Sequence, residues 1–103
     1  MSFPEFPGPL FTDLYELTMA AGYFDRHMDD PATFSLFVRS HPRRNYFVAA
    51  GLQAVMDART RFHFSDEETA WLAQTGRFNR DFLAHLSTLR FTGDVTAMAE
   101  GEI

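Results

Sequence analysis

A tyrosine stands in the first turn of what reads as an amphipathic helix, in the stretch FTDLYELTMAAGYF at residues 11–24. With Asp13 as the cap, Tyr15 lies about 100° round the helix from Leu14, beside the apolar stripe rather than in it. It shares its side with Met19, Gly22 and Arg26. Two readings of the ring are open. It presents its face to something outside the helix's own core, or it packs on the preceding FPGPLF segment. Asp13 has an ordinary role available as well, because a carboxylate at the cap accepts from the orphan backbone N–H groups of the first turn. Its spacing to Glu16 resembles a capping box.

A second group is cationic. Arg39 ends an alternating segment, and Arg43 and Arg44 follow in the loop HPRRN. Three guanidiniums near one strand end suit a phosphate or a carboxylate, because the planar fork donates in pairs. Solvated surface arginines are the alternative.

The remaining candidates are weaker. His27, His41, His63 and His85 share no ligand spacing, and no H-x-x-x-H occurs, so no metal site is expected. Asp29-Asp30 reads as a loop and Asp66-Glu67-Glu68 as a helix first turn, where carboxylates complement the dipole. There is no G-x-S-x-G and no glycine-rich phosphate loop. All nine basic residues are Arg. The absence of Lys excludes a Schiff-base or P-loop lysine in this segment, and the absence of Cys excludes thiol catalysis, zinc ribbons and disulfides. Composition and spacing alone reveal no catalytic residue.

The elements that must position these groups follow from periodicity. Residues 1–11 hold three Pro and a Gly and read as an extended arm. The first helix starts at Thr12 or Asp13, carries Leu14, Leu17, Thr18, Ala21 and Phe24 or Asp25 on one face, and fades near residues 26–28. ATFSLFVRS at residues 32–40 alternates and predicts a strand that buries Phe34, Leu36 and Val38. YFVAAG is a short apolar run of strand type ending at Gly51, and a helix with Leu52, Val55, Met56 and Arg59 follows. Ser65 with Glu68 forms a capping box for a helix bearing Trp71 and Leu72 that Gly76 ends. Asn79 caps the last helix, with the stripe Phe82, Leu83, Leu86 and Leu89. FTGDVTAMAEGEI turns into a strand with Val95, Ala97 and Ala99 on one side, and no further strand follows to complete a sheet. The pattern is that of one α+β domain over residues 12–103, incomplete at its C-terminus.

At 103 residues and 46% hydrophobic content, the chain is long enough for one small packed domain. Twelve Phe exceed what such a domain can cover, so some rings are expected to face a partner or another part of a longer chain. A net charge of −5 without a basic stripe argues against nucleic acid. The Pro-rich start is no signal peptide, no apolar run approaches membrane-spanning length, and cytoplasm is the default.

Taken together, TDLYELTM, the F-x-x-R block ending at Arg39, NYFVAAGL and the late FTGDV with EG resemble the N-terminal region of nicotinate phosphoribosyltransferase, a type II phosphoribosyltransferase. The resemblance covers nearly the whole chain. It implies a parent enzyme several times longer, whose irregular α/β barrel is absent here. That barrel holds most of the phosphoribosyl pyrophosphate site and the phosphorylated histidine that couples ATP hydrolysis, with Mg2+. None of the four histidines matches that motif. The implied activity is ATP-coupled conversion of nicotinate and phosphoribosyl pyrophosphate to nicotinate mononucleotide, a ligase-type step of NAD salvage. By the resemblance, Tyr15 lies against the pyridine ring, reaching the site of the neighbouring subunit in a head-to-tail homodimer. Asp13 is the acidic residue beside it, and Arg39 stands toward the phosphate side. This segment alone is expected to bind no cofactor and to be inactive. Two other readings remain. One is a non-catalytic interaction module or decayed fragment docking through a Phe-rich face, and the other is a relative that uses nicotinamide.

Overall fold

Ser65 and Asn79 set the architecture, because each opens one of the two helices that enclose the core. The computed structural model describes residues 8–103. Its helices are α1 (Leu14–Asp25), α2 (Leu52–Arg61), α3 (Asp66–Gln74) and α4 (Arg80–Thr88). Ser65 Oγ accepts from the Glu68 N–H at 3.1 Å, and Glu68 Oε1 accepts from the Ser65 N–H at 2.9 Å. That reciprocal box satisfies two orphan donors at the start of α3. Asn79 Oδ1 does the same work for α4, accepting from the Phe82 N–H at 2.8 Å. Between them Gly76 takes φ +70°, a left-handed conformation that suits glycine after a helix end.

The resulting α3–α4 hairpin folds back on itself, and α1 packs across α4. Phe64, Leu72, Phe82 and Leu86 are 1–3% exposed and form the buried centre. Leu17, Ala20, Ala21 and Phe24 of α1 close over it, with Leu83 and Leu89. The Phe24 ring tilts on Phe82 at 5.8 Å and stacks on His85 at 4.8 Å. Each buried Leu or Phe contributes about 1.5–3 kcal/mol, so a core of this size holds three short helices and little more.

α1 ends in a Schellman motif. The Met28 N–H donates to the Tyr23 carbonyl at 2.9 Å and the His27 N–H to the Phe24 carbonyl at 3.2 Å. His27 therefore occupies the left-handed position at φ 55°, where glycine is usual. At the other end, Asp13 has the extended backbone of a cap, but its side chain makes no cap hydrogen bond. The capping box read from Asp13 and Glu16 does not form. The Glu16 carboxylate accepts from the Thr12 hydroxyl instead.

The strands are the main correction. Among the described residues no ladder forms, and the α+β expectation reduces to helices joined by irregular segments. Residues 32–40 take no regular secondary structure; Leu36 is 100% exposed, and Phe34 and Val38 also face outward rather than into a core. Residues 46–50 and 94–99 are likewise outside any sheet. Alternation specifies which face would be buried, but a strand needs a neighbour to supply its hydrogen bonds, and these segments lie off the helical core. The spread shows in the Cα radius of gyration, 16.6 Å, against about 13 Å for a compact chain of this length.

The last part of the expected arm is a turn, with the Phe11 N–H donating to the Gly8 carbonyl at 3.1 Å. Residues 1–7 of that arm lie outside the described residues. Among the described residues, no helix is long and apolar enough to cross a membrane.

Candidate functional site

α1 buries one side and leaves the other open. Leu17, Ala20, Ala21 and Phe24 face the core. Tyr15, Met19 and Tyr23 recur at four-residue spacing on the outside, with Tyr15 59% exposed. A side chain built at Gly22 would meet nothing within 4 Å, so an approaching group could reach the helix backbone there. Tyr15 is held at its main chain, where its carbonyl accepts from the Thr18 hydroxyl at 2.8 Å. The main chain at Tyr15 is thus fixed within α1, while its side chain is exposed. Asp13, two residues earlier, is exposed and its side chain makes no cap hydrogen bond. Such a platform suits a flat heteroaromatic, which gains from offset stacking on a phenol.

Arg39 is exposed on the irregular segment before the turn. The next residues form a tight turn, in which the Arg44 N–H donates to the His41 carbonyl at 3.3 Å and the Arg43 N–H to His41 Nδ1 at 3.1 Å. His41, Arg43 and Arg44 line an open hollow, and Arg39 is not part of its wall. The three arginines grouped by sequence are thus divided, with two at the hollow and one before it.

The histidines have separate surroundings. His27 closes α1, His41 accepts within the turn, His85 stacks on Phe24, and His63 is exposed. Among the described residues no three His, Cys, Asp or Glu stand together in a way that could hold a metal ion.

One positioning residue escaped the sequence reading. Glu100 accepts from the backbone N–H of Gly51 at 2.9 Å and of Leu52 at 3.2 Å, and so caps α2 from a distant part of the chain. Ala49 joins the same clasp, accepting from the Gly101 N–H at 2.8 Å and donating to the Glu102 carbonyl at 2.7 Å. The hydrogen bonds from Gly51 and then Leu52 hold the Glu100 carboxyl below its ordinary pKa. The signal available in sequence was Gly51, a helix start with no side chain to cap it.

Comparison with known proteins places the chain in a family. The profile of the nicotinate phosphoribosyltransferase (NAPRTase) N-terminal domain matches residues 10–103. The chain is similar to nicotinate phosphoribosyltransferase pncB2 of Mycobacterium tuberculosis, 41% identical over 104 residues, covering 100% of this chain and 22% of that protein. It is similar to the nicotinate phosphoribosyltransferase of Bacillus subtilis, at 38% over 91% of this chain and 20% of that protein. It is also similar to the Bos taurus enzyme of the same name, at 37% over 92% and 19%. The chain spans about a fifth of the length of these curated relatives. No solved structure matches it.

Proposed function

The chain belongs to the nicotinate phosphoribosyltransferase family, whose N-terminal domain it carries, and from that premise we propose that it supplies the ring-stacking wall of a nicotinate site. The parent reaction is ATP-coupled formation of nicotinate mononucleotide from nicotinate and phosphoribosyl pyrophosphate, in cytoplasmic NAD salvage. The observation that carries the reading is the exposed Tyr15 side chain in the first turn of α1, unburied by this chain. Its open face, continued by Met19 and Tyr23, supports a role at a boundary between subunits of a homodimer.

In that reaction the pyridine nitrogen displaces pyrophosphate from C1 of the sugar. The carbon gains oxocarbenium character as the old bond loosens, so orientation and charge stabilisation count for more than a side-chain nucleophile. Tyr15 orients the ring by stacking. Arg39 stands toward the phosphates, where a guanidinium balances the departing charge. On this reading the Asp13 carboxylate, which makes no cap hydrogen bond, is the acidic group beside the bound ring. ATP and Mg2+ would supply phosphoryl coupling and charge neutralisation in the parent enzyme. The described residues hold no carboxylate or histidine cluster for a metal, so no step is assigned to either here.

The test is Tyr15→Ala and Tyr15→Phe in the full-length protein. Loss of stacking worth about 0.5–1.5 kcal/mol, plus ring burial, raises the nicotinate KM in the alanine variant and leaves it near wild type in the phenylalanine variant. An unchanged KM in both removes Tyr15 from the site. A second reading, an interaction module that docks through exposed Phe34, Leu36 and Phe37, is favoured by their exposure. It would show as full partner binding in a protein without transferase activity.

A further inference from the structure

We propose that Arg59 receives a carboxylate from a part of the longer protein outside this segment. On α2 it falls on one face with Leu52, Val55 and Met56. That face is only partly covered: Leu52, Met56 and Arg59 are half-buried, and Val55 is 50% exposed. Arg59 Nε is buried and has no hydrogen-bond acceptor among the described residues. A buried donor left unpaired is costly, and more so on a charged group. Arg61, in the same last turn, is exposed and has water to donate to.

The chemistry of the group selects its acceptor. A carbonyl would take the N–H and leave the charge unbalanced. A carboxylate does both, because its two oxygens match Nε and a terminal nitrogen of the guanidinium side by side. α2 does not supply one. Its single acid, Asp57, lies about 160° round the helix from Arg59, and it accepts from Gln53 Nε2 at 3.0 Å. None of the other helices packs on α2. The chain spans about a fifth of the length of the curated relatives, and a protein of their length has most of its residues outside this segment. That remainder is the committed source of the carboxylate. Arg59 has this role whether or not Tyr15 stacks on a pyridine.

The test compares hydrogen exchange of the α2 amides in the 103-residue chain and in the full-length protein. Arg59→Met keeps an unbranched stem of similar helix propensity and removes the charge and every donor. In the 103-residue chain it is expected to leave exchange unchanged or to slow it, because an unpaired donor is removed. In the full-length protein it is expected to speed exchange about tenfold or more, because a charged hydrogen bond is lost and its acid is left alone. Arg59→Lys keeps the charge, loses the fork and falls between. Arg61→Met, at the exposed position of the same turn, changes neither protein. Should Arg59→Met fail to fold in the full-length protein, Arg59→Lys still speeds α2 exchange there and Arg61→Lys does not. Equal acceleration in both proteins overturns the proposal, since the acceptor then lies within this segment. No acceleration in the full-length protein overturns it as well. So does acceleration in the 103-residue chain that appears only at high concentration, which makes a second copy the source.

Discussion

Glu100 holds the first turn of α2 through Leu52, which lies 48 positions earlier in the chain. One carboxylate takes the Leu52 N–H and the Gly51 N–H together. Gly51 at φ 98° turns the chain into the helix but has no side chain to cap it. The cap therefore comes from a remote loop, and α2, which packs on none of the other helices, is secured at its start by this clasp.

Removing that carboxylate should loosen α2 locally. Glu100→Ala is expected to speed hydrogen exchange at Gly51 and Leu52 at neutral pH and to leave the α3–α4 core amides unchanged. Because the folded pKa of Glu100 is lowered, its contribution is present above the ordinary carboxylate pKa and is lost as pH falls through the folded value. The wild-type protein should thus reproduce the variant's pattern only on acidification below the usual carboxylate range. Unchanged exchange in Glu100→Ala would show that the cap has no effect on α2.

His27 carries strain that glycine would not. Its φ of 55° places a Cβ in the left-handed region at the Schellman position of α1. Such strain amounts to about 1–2 kcal/mol, partly offset by the greater chain entropy glycine brings to the unfolded state. His27→Gly is expected to stabilise the chain by about 0.5–1 kcal/mol in urea unfolding. His27→Ala, which keeps the Cβ, should give no such gain.

The outward placement of Leu36 makes a prediction opposite to its sequence pattern. A buried-strand leucine exchanged for serine would destabilise by about 2 kcal/mol or more. At 100% exposure, Leu36→Ser is expected to change the unfolding midpoint by no more than about 0.5 kcal/mol. It should also reduce any concentration-dependent association of the chain, since neighbouring exposed apolar side chains promote association. A large loss of stability would mean that Leu36 is buried in solution.

What could be read from sequence divides by range. Ser65 with Glu68, Asn79, Gly76 and the stripe Phe82, Leu83, Leu86 and Leu89 are local signals, and the structure carries each of them. The outward Tyr15 was legible for the same reason, since helical spacing alone separates it from Leu17 and Phe24. Where a partner from far along the chain decides the outcome, local reading fails. Alternation at Phe34, Leu36 and Val38 could not say whether a neighbouring strand is present, and nothing near Gly51 names Glu100 as its cap. Asp13 is intermediate: the cap position was right, but Thr12 takes the Glu16 carboxylate needed for the box.

The three caps separate structural carboxamides and hydroxyls from a carboxylate that the fold leaves unused. Ser65 and Asn79 each accept a first-turn N–H, and replacing either by alanine is expected to cost about 1 kcal/mol. Asp13 accepts none, so Asp13→Ala loses only its charge near the N-terminus of α1, about 0.3 kcal/mol at low salt and less as salt is added. Urea unfolding of the three variants at low and high ionic strength checks the order. If Asp13→Ala proves as costly as the other two at high salt, its carboxylate caps α1 in solution and is not available to a substrate. If it is nearly silent in stability while the same change in the full-length protein raises the nicotinate KM, the side chain serves the site rather than the helix.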